Sequence, residues 1–317
     1  QYWCDHGGDA VFAMAESSGE VRARLAAEGI AAVDITAARG SHEDALQTVG
    51  HAATLQAACI LVDGYCFGSD YQLHLKSNTA CLAVIDDNGE HAEYAADMIV
   101  NHNLHANANF YSGTRAATRM LLGPRYAMLR REFLDCAHKQ STPARAGNLL
   151  VTMGGSDPDN ITERVIQAVG SMASPADIIK VTIGDNHPCS EALDAAVRQS
   201  PTPIELVHNP PSMASLMAWA DVAVAAAGTT CLELAFMGLP AVLVVLADNQ
   251  IASAAAMTAA DAAQAIESLD DLDEHLTALM ASGQRREMMH SAGRQLVDGG
   301  GCRRICEALT EQMRCAS

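Results

Sequence analysis

The sequence predicts an α/β protein of two doubly wound halves whose parallel sheets face a central cleft. Three observations carry the prediction. Short continuous apolar runs recur along the 317 residues, with helical stretches between most of them, which is how strands buried on both faces of a parallel sheet read. The series breaks once, near 135–147 ("DCAHKQSTPARAG"), in a polar stretch rich in Ser, Thr, Pro and Gly. At roughly 100–200 residues per domain the chain also supports two cores, and its 49% hydrophobic residues can fill them. The expected division is 1–140 and 147–300, with a final helix at about 302–317 packing back on the first half.

In order, the strand runs of the first half are "DAVFAMA" (9–15), "ACILVD" (58–63), "CLAVIDD" (81–87) and "DMIVNHN" (97–103). Those of the second are "NLLVTMG" (148–154), "IKVTIG" (179–184), "IELVH" (204–208), "DVAVAAAG" (221–228) and "AVLVVLA" (241–247). Helices are expected at 17–28, 42–57, 161–171, 190–199, 212–220 and 230–237, and the tail from 272 to 315 is helical in pattern, interrupted by "DGGG" (298–301). The chain opens without methionine on "QYWCDHGGDAVFAM". That segment reads as the end of a helix entering a strand, so the natural protein is expected to start earlier.

Charge and composition exclude several classes. Twenty Lys+Arg against 38 Asp+Glu give a net charge of −18, and aromatic residues make up only 4%, a poor basis for gripping nucleic acid by charge or by stacking. No apolar run approaches the roughly 18–20 residues of a membrane span, and no basic leader precedes one. The ten cysteines contain no C-x-x-C and read as reduced packing thiols of a cytoplasmic protein. Cys302 and Cys306, with His290 upstream, are the nearest approach to a metal pattern, but no second ligand pair has structural-zinc spacing. No metal and no cofactor are expected. GxxxxGK[ST], HExxH, GxSxG and a post-strand GxGxxG are all missing, which removes P-loop, zincin, α/β-hydrolase and dinucleotide readings.

Three places carry chemistry. Gly154-Gly155-Ser156-Asp157-Pro158 follows a strand and precedes a helix from about Asn160. Asp157 suits an N-cap and Pro158 the first helical position, so the turn is either an ordinary capped one or a loop open to a ligand. In "AAAGTTCLELAFMGLPAVLVVLADNQ" (225–250), Gly228-Thr229-Thr230 opens a helix that Gly238 closes, and a second strand ends at Asp248-Asn249-Gln250. Amides, hydroxyls and the positive end of a helix dipole together bind phosphate without a metal. Glu233, one turn along, is either a ribose acceptor or a carboxylate complementing the dipole. Asp63-Gly64-Tyr65 ends one strand and Asp86-Asp87 the next. These carboxylates are either turn formers or an acid–base pair of glycosidase type. Arg115, Arg119, Arg125, Arg130 and Arg131 make the one basic cluster, which either faces a phosphate or, as the favoured expectation, forms a solvated helix face.

Six segments in one order, "LVDGYCFGSDYQ" (61–72), "VIDDNGEHAEYAADMIVNHNL" (84–104), "LLGPRYAMLRREF" (121–133), "LLVTMGGSDPDNIT" (149–162), "MASLMAWADVAVAAAGTTCLELAFMGLPAVLVVLADNQ" (213–250) and "LVDGGG" (296–301), resemble the PseG/SpsG family of nucleotide-sugar enzymes. The family is related to MurG and has the GT-B fold of two Rossmann-like domains. The resemblance implies a UDP-sugar hydrolase of the pseudaminic acid type, releasing UDP from a UDP-linked 2,4-diacetamido-2,4,6-trideoxyhexose. It implies that Gly228, Thr229 and Thr230 hold the diphosphate, that Glu233 holds the ribose, and that His208 and Asn209 border the uracil. By the same resemblance Asp63, Tyr65 and Asn249 are catalytic, Gln250 lines the sugar side, and Gly155 and Ser156 face the cleft.

Two departures stand out. Family members begin with a strand and a G-x-G-H loop whose histidine is the proposed base. Gln1 aligns after that loop, and His6 comes too late to replace it. Asp261 stands where relatives carry glycine.

The residues agree with the implied chemistry. A diphosphate is a good leaving group, so a preorganised positive site is needed more than a general acid, together with a base that activates water on the opposite face. An acidic chain must bind a nucleotide through local donors, its overall field being screened beyond roughly 10 Å. The alternatives are a MurG-like glycosyltransferase and a nucleotide-sugar-binding protein without catalysis. The expected partner is the UDP-sugar, and the expected state a monomer or weak dimer.

Overall fold

The computed structural model describes residues 1–91, 93–136, 143–154, 157, 160–172, 176–184 and 190–316. It divides into two compact units, Gln1–Met128 with Gly300–Ser317, and Leu129–Gly299. Among the described residues every strand pairing is parallel. Among them, too, no helix is long and apolar enough to cross a membrane.

In the first unit, β1 (Val11–Met14) and β2 (Ala31–Asp34) form a two-stranded sheet. A four-stranded sheet runs β3 (Ile60–Asp63), β4 (Leu82–Ile85), β5 (Met98–Asn101), β6 (Arg119–Leu122) in that order. The period of two divides its side chains between two cores. Val62, Leu82, Val84 and Ile99 pack with Ala45, Tyr71 and Leu75 of the helices His42–Thr54 and Ser69–Asn78. Ala83, Met98, Val100 and Leu121 pack with Ile305 and Ala308 of the C-terminal helix Gly301–Ala316. β1 and β3 remain edge strands, and Val11, Phe12 and Leu61 on them are 38%, 46% and 49% exposed.

The second unit is one six-stranded sheet built from β7 (Asn148–Thr152), β8 (Ile178–Ile183), β9 (Ile204–His208), β10 (Val222–Ala226), β11 (Ala241–Val244) and β12 (Gln264–Ile266). Its order is β12-β11-β10-β7-β8-β9. This is the doubly wound arrangement, and the strand order reverses between β7 and β10, the place where ligands of such folds bind. Leu149 and Val151 face one core, with Val165, Ile166 and Val169 of the helix Ile161–Gly170. On the alternate positions Leu150, Ala223, Ala225 and Leu243 are wholly buried as well, so the sheet is covered on both faces.

Several elements differ from the sequence expectation. β2 is "AAVD", too alanine-rich to read as an apolar run, β6 opens on Arg119, and β12 is three residues long. The helix Ser69–Asn78 was hidden because it buries only Tyr71, Gln72 and Leu75. Asp248, Asn249 and Gln250 do not end β11, which stops at Val244; they open the helix Asp248–Ala259. The helix after β7 starts at Ile161, and Pro158 lies outside the described residues. The carboxylate of Asp157 nevertheless caps it, accepting from the amides of Ile161 (2.8 Å) and Thr162 (2.6 Å). Asp261 has φ +55, the left-handed conformation glycine adopts at no cost.

Arg286 is wholly buried in the second unit. It donates to the carbonyls of Leu279 (2.7 Å), Met280 (2.5 Å), Pro143 (2.6 Å) and Ala144 (3.0 Å), closing the end of the helix Leu272–Ala281.

Candidate functional site

β10 in the second unit is a run of small and β-branched residues that ends beside β7, with Ala225 paired to Thr152. The chain then passes through Gly228 into the helix Thr230–Met237, which Gly238 closes at φ +63. A Cβ at Gly238 would lie 2.5 Å from His290 Nδ1, so packing explains that glycine. Gly228 is different. Its φ is not in the left-handed region, and a Cβ built there meets nothing within 4 Å. Neither strain nor packing within the unit requires glycine, which leaves open space for an incoming group. Just past the end of the neighbouring β7, Gly154, at φ +96, also borders open space.

The helix end has unspent donors. Cys231 N donates to Gly228 O (3.0 Å) and Leu232 N to Thr229 O (3.1 Å). Among the described residues the amides of Gly228, Thr229 and Thr230 have no acceptor, and the Thr229 side chain makes no capping bond. Three N–H groups and two hydroxyls therefore stand at a helix N-terminus at the switch point, which is chemically an anion site.

Glu233 sits one turn further. Burial raises its carboxyl above the usual range, and Arg130 pulls it back down. The Arg130 guanidinium lies 3.2 Å from Glu233 Oε1 and 2.6 Å from Glu132 Oε1, with the Phe133 ring beneath it at 5.1 Å. Arg130 was expected on a solvated face and instead forks between two glutamates. Arg119 pairs with Glu311 at 2.6 Å, and Arg125 lies over Tyr126.

Asn249 is exposed in the first turn of its helix, while Gln250 Oε1 accepts the Leu246 amide (3.0 Å) and ties that helix to the strand end. Both come after β11, next to β10. His208 and Asn209 are exposed at the end of β9, two strands from β7 on the other side, with Asn209 at φ +43 donating its amide to Ile183 O. Gly155 and Ser156 lie outside the described residues.

In the first unit a second polar cluster gathers at the carboxyl ends of β3, β4 and β5. The Tyr65 hydroxyl donates to Asp87 Oδ2 (2.7 Å), and that bond pushes its pKa up to about 12. Asn103 donates to Asp87 Oδ1 (3.0 Å) and Asn101 to the Asp87 carbonyl (2.9 Å). Asp86 accepts from the Tyr94 hydroxyl at Oδ1 (2.7 Å), and at Oδ2 from the Tyr111 hydroxyl and the Gly89 amide (2.7 Å each). Burial, then the charge of Asp87, raises the carboxyl of Asp63. Sequence reasoning found the three aspartates and missed His102, Asn101, Asn103, Tyr94 and Tyr111. The visible signal was "NHN", three polar residues ending an apolar run. Among the described residues no group of three or more His, Cys, Asp or Glu side chains is placed to hold a metal ion.

Residues 148–299 match the glycosyltransferase family 28 C-terminal domain. The chain is 28% identical over 247 residues to the spore coat polysaccharide biosynthesis protein SpsG of Bacillus subtilis (strain 168), covering 75% of this chain and 71% of that protein. Similar solved structures include Acinetobacter baumannii MurG, at a TM-score of 0.68 and 16% identity, covering 98% of this chain and 93% of that one. Another is the UDP-GlcNAc 2-epimerase from Neisseria meningitidis bound to UDP-GlcNAc, at 0.59 and 12% over 92% and 88%. At such identities the likeness is one of fold, the GT-B fold.

Proposed function

We propose that this chain, which is similar to SpsG over 75% of its length and matches a glycosyltransferase family 28 C-terminal domain over residues 148–299 on a GT-B fold, is a UDP-sugar hydrolase. It cleaves the sugar C1–O bond of a UDP-linked 2,4-diacetamido-2,4,6-trideoxyhexose with inversion and releases UDP. In this reading Gly228, Thr229 and Thr230 hold the diphosphate, and the partly buried Glu233 carboxylate accepts from the ribose hydroxyls while Arg130 fixes its position. His208 and Asn209 border the uracil, and Asn249 and Gln250 serve the sugar with Asp63 and Tyr65.

One observation carries the reading. Unspent amides of Gly228, Thr229 and Thr230 stand next to a glycine whose missing Cβ faces open space. Donors fixed in advance stabilise the charge that develops on a departing diphosphate and need no reorganisation as the bond breaks.

The test has two parts. Calorimetry should detect UDP binding, and Thr229→Val with Thr230→Val should weaken it about tenfold, the worth of one or two hydrogen bonds to charge. Unchanged affinity refutes the cradle. An NMR time course should then show a UDP-sugar converted to free sugar of inverted anomeric configuration and UDP. The match of residues 148–299 to a glycosyltransferase domain favours one second reading, transfer to an acceptor other than water. Turnover that appears only with acceptor present would establish that reading over hydrolysis.

A further inference from the structure

The second unit has a cavity away from its donor rim. It lies at the amino end of β12, the edge strand of the six-stranded sheet, whereas Gly228 and its helix follow the carboxyl end of β10. Its volume is about 250 Å³. That falls between the roughly 150 Å³ that admits benzene and the roughly 300 Å³ at which drug-sized pockets begin, so it suits a small metabolite. The end of the helix Asp248–Ala259 with the turn after it, the start of β12 and the helix Gly283–Leu296 supply its walls.

The polar groups in those walls are sorted by kind. After the helix Asp248–Ala259 come acceptors. Thr258 Oγ1 donates its proton to Ala254 O (3.0 Å) and keeps its lone pairs. Asp261 donates its amide to Thr258 O (3.0 Å), and among the described residues its carboxylate has no hydrogen bond or ion pair. This side chain is kept at φ +55, where residues other than glycine meet a cost. Such a cost, held at a cavity, is a pointer to use.

On the helix Gly283–Leu296 stands the donor, Arg285. The buried Gln264 turns its amide oxygen toward this guanidinium and accepts from Nε at 2.7 Å. Arginine has five N–H donors, and among the described residues no carboxylate takes the remainder. Arg285 and Asp261 thus line one cavity without pairing with each other. Ala263, Met288 and Met289 give the same cavity an apolar wall, with Met288 54% exposed.

We propose that this cavity binds a free amino acid with an apolar side chain. The ligand carboxylate takes the remaining N–H groups of Arg285, a charge-assisted pairing that fixes orientation. The ammonium is held by Asp261 and by the lone pairs of Thr258 Oγ1. The side chain lies on Met288 and Met289, whose flexible thioethers fit more than one shape. The site is separate from the UDP-sugar reading and uses residues of the second unit alone.

The test is binding to the full chain, read by thermal shift and by calorimetry with L-leucine and L-methionine. At about 10 mM either should raise Tm by about 3 °C. N-acetyl-L-leucine lacks the ammonium and L-leucinamide the carboxylate, so each should bind about tenfold more weakly or worse. Asp261→Asn removes the charge and keeps a residue suited to the left-handed backbone. It should abolish the L-leucine shift, as should Arg285→Gln, with the ligand-free Tm of both variants within about 2 °C of the wild type. No shift with either amino acid overturns the proposal. So does a shift that survives Asp261→Asn, or one that the two blocked analogues reproduce on the wild type.

Discussion

Two strand-end clusters with opposite chemistry occupy the two units. The rim of the second unit, around Gly228, Thr229 and Thr230, offers donors without acceptors among the described residues. The rim of the first, around Asp63, Asp86 and Asp87, concentrates acceptors whose donors are neighbouring hydroxyls and amides. The same parallel-sheet architecture builds both, since loops after parallel strands emerge on one side. The difference lies in the element after the strand. Past β10 a helix begins within two residues of the glycine, and its dipole supplies positive charge that a chain of net charge −18 does not provide in bulk. Past β4 and β5 the chain enters polar turns, and tyrosine hydroxyls donate to Asp86 and to Asp87. The pairing teaches that an acidic chain can present positive potential through backbone geometry at one strand end while its carboxylates gather at another.

The most disruptive way to break the contrast is to fill the donor rim. Gly228→Ala places a methyl group where a Cβ now meets nothing within 4 Å, so the fold tolerates it. A phosphate at the amides does not. UDP affinity should fall about 100-fold, ~2.7 kcal/mol, with Tm within about 2 °C of the wild type. Calorimetry and thermal melts on the same preparation check both. A parallel loss of Tm would mean that Gly228 serves the fold.

A smaller change sharpens the comparison by putting an acceptor on the donor rim. Thr229 occupies the N-cap without a side-chain bond. Thr229→Asp adds a carboxylate at the positive end of the helix, which should stabilise the second unit by about 0.5–1 kcal/mol. The same carboxylate competes with the diphosphate, so UDP binding should weaken by about tenfold as Tm rises. Affinity and stability moving in the same direction would contradict the anion-site reading.

How far the sequence anticipated each rim depends on the range of the interactions. Gly228, Thr229, Thr230 and Gly238 were legible because strand, glycine, hydroxyls and capping glycine are consecutive and each acts on its own backbone. Asp63, Asp86 and Asp87 were legible for the same reason, as polar residues ending apolar runs. Arg130 was misjudged because its partner Glu233 lies 103 residues away. Arg286 went unnoticed among the arginines of a polar helix, although it reaches Pro143 across the sequence. His102 was hidden between two asparagines, since its surroundings are set by Asp63 and Asp87 from other strands. β12 was too short to show a period, and the start of the helix Asp248–Ala259 was obscured because Asp and Asn suit a strand end and a helix start equally.

The smallest expected effect probes the acceptor rim through pH. Burial and the charge of Asp87 raise the Asp63 carboxyl above its ordinary value of 3.8, with His102 opposing them when it is charged. Across the interval from 3.8 up to that raised value, the folded chain binds a proton that the unfolded chain has released. Stability attributable to Asp63 therefore falls as pH rises through that interval, and at neutral pH the folded state carries a carboxylate that water solvates better. Asp63→Asn removes this cost. Because Asp63 is exposed at the end of its strand, the gain is small, on the order of 2 °C in Tm at pH 7. It should shrink toward zero as pH is lowered to about 4, while UDP-sugar turnover is lost at every pH. In the double variant with Asp87→Asn the stability gain should be smaller than in the single variant, because Asp87 supplies part of the cost. Thermal melts at several pH values check the sign. A gain independent of pH would mean that the Asn amide has found a hydrogen bond, and that the carboxylates at this rim do not oppose one another.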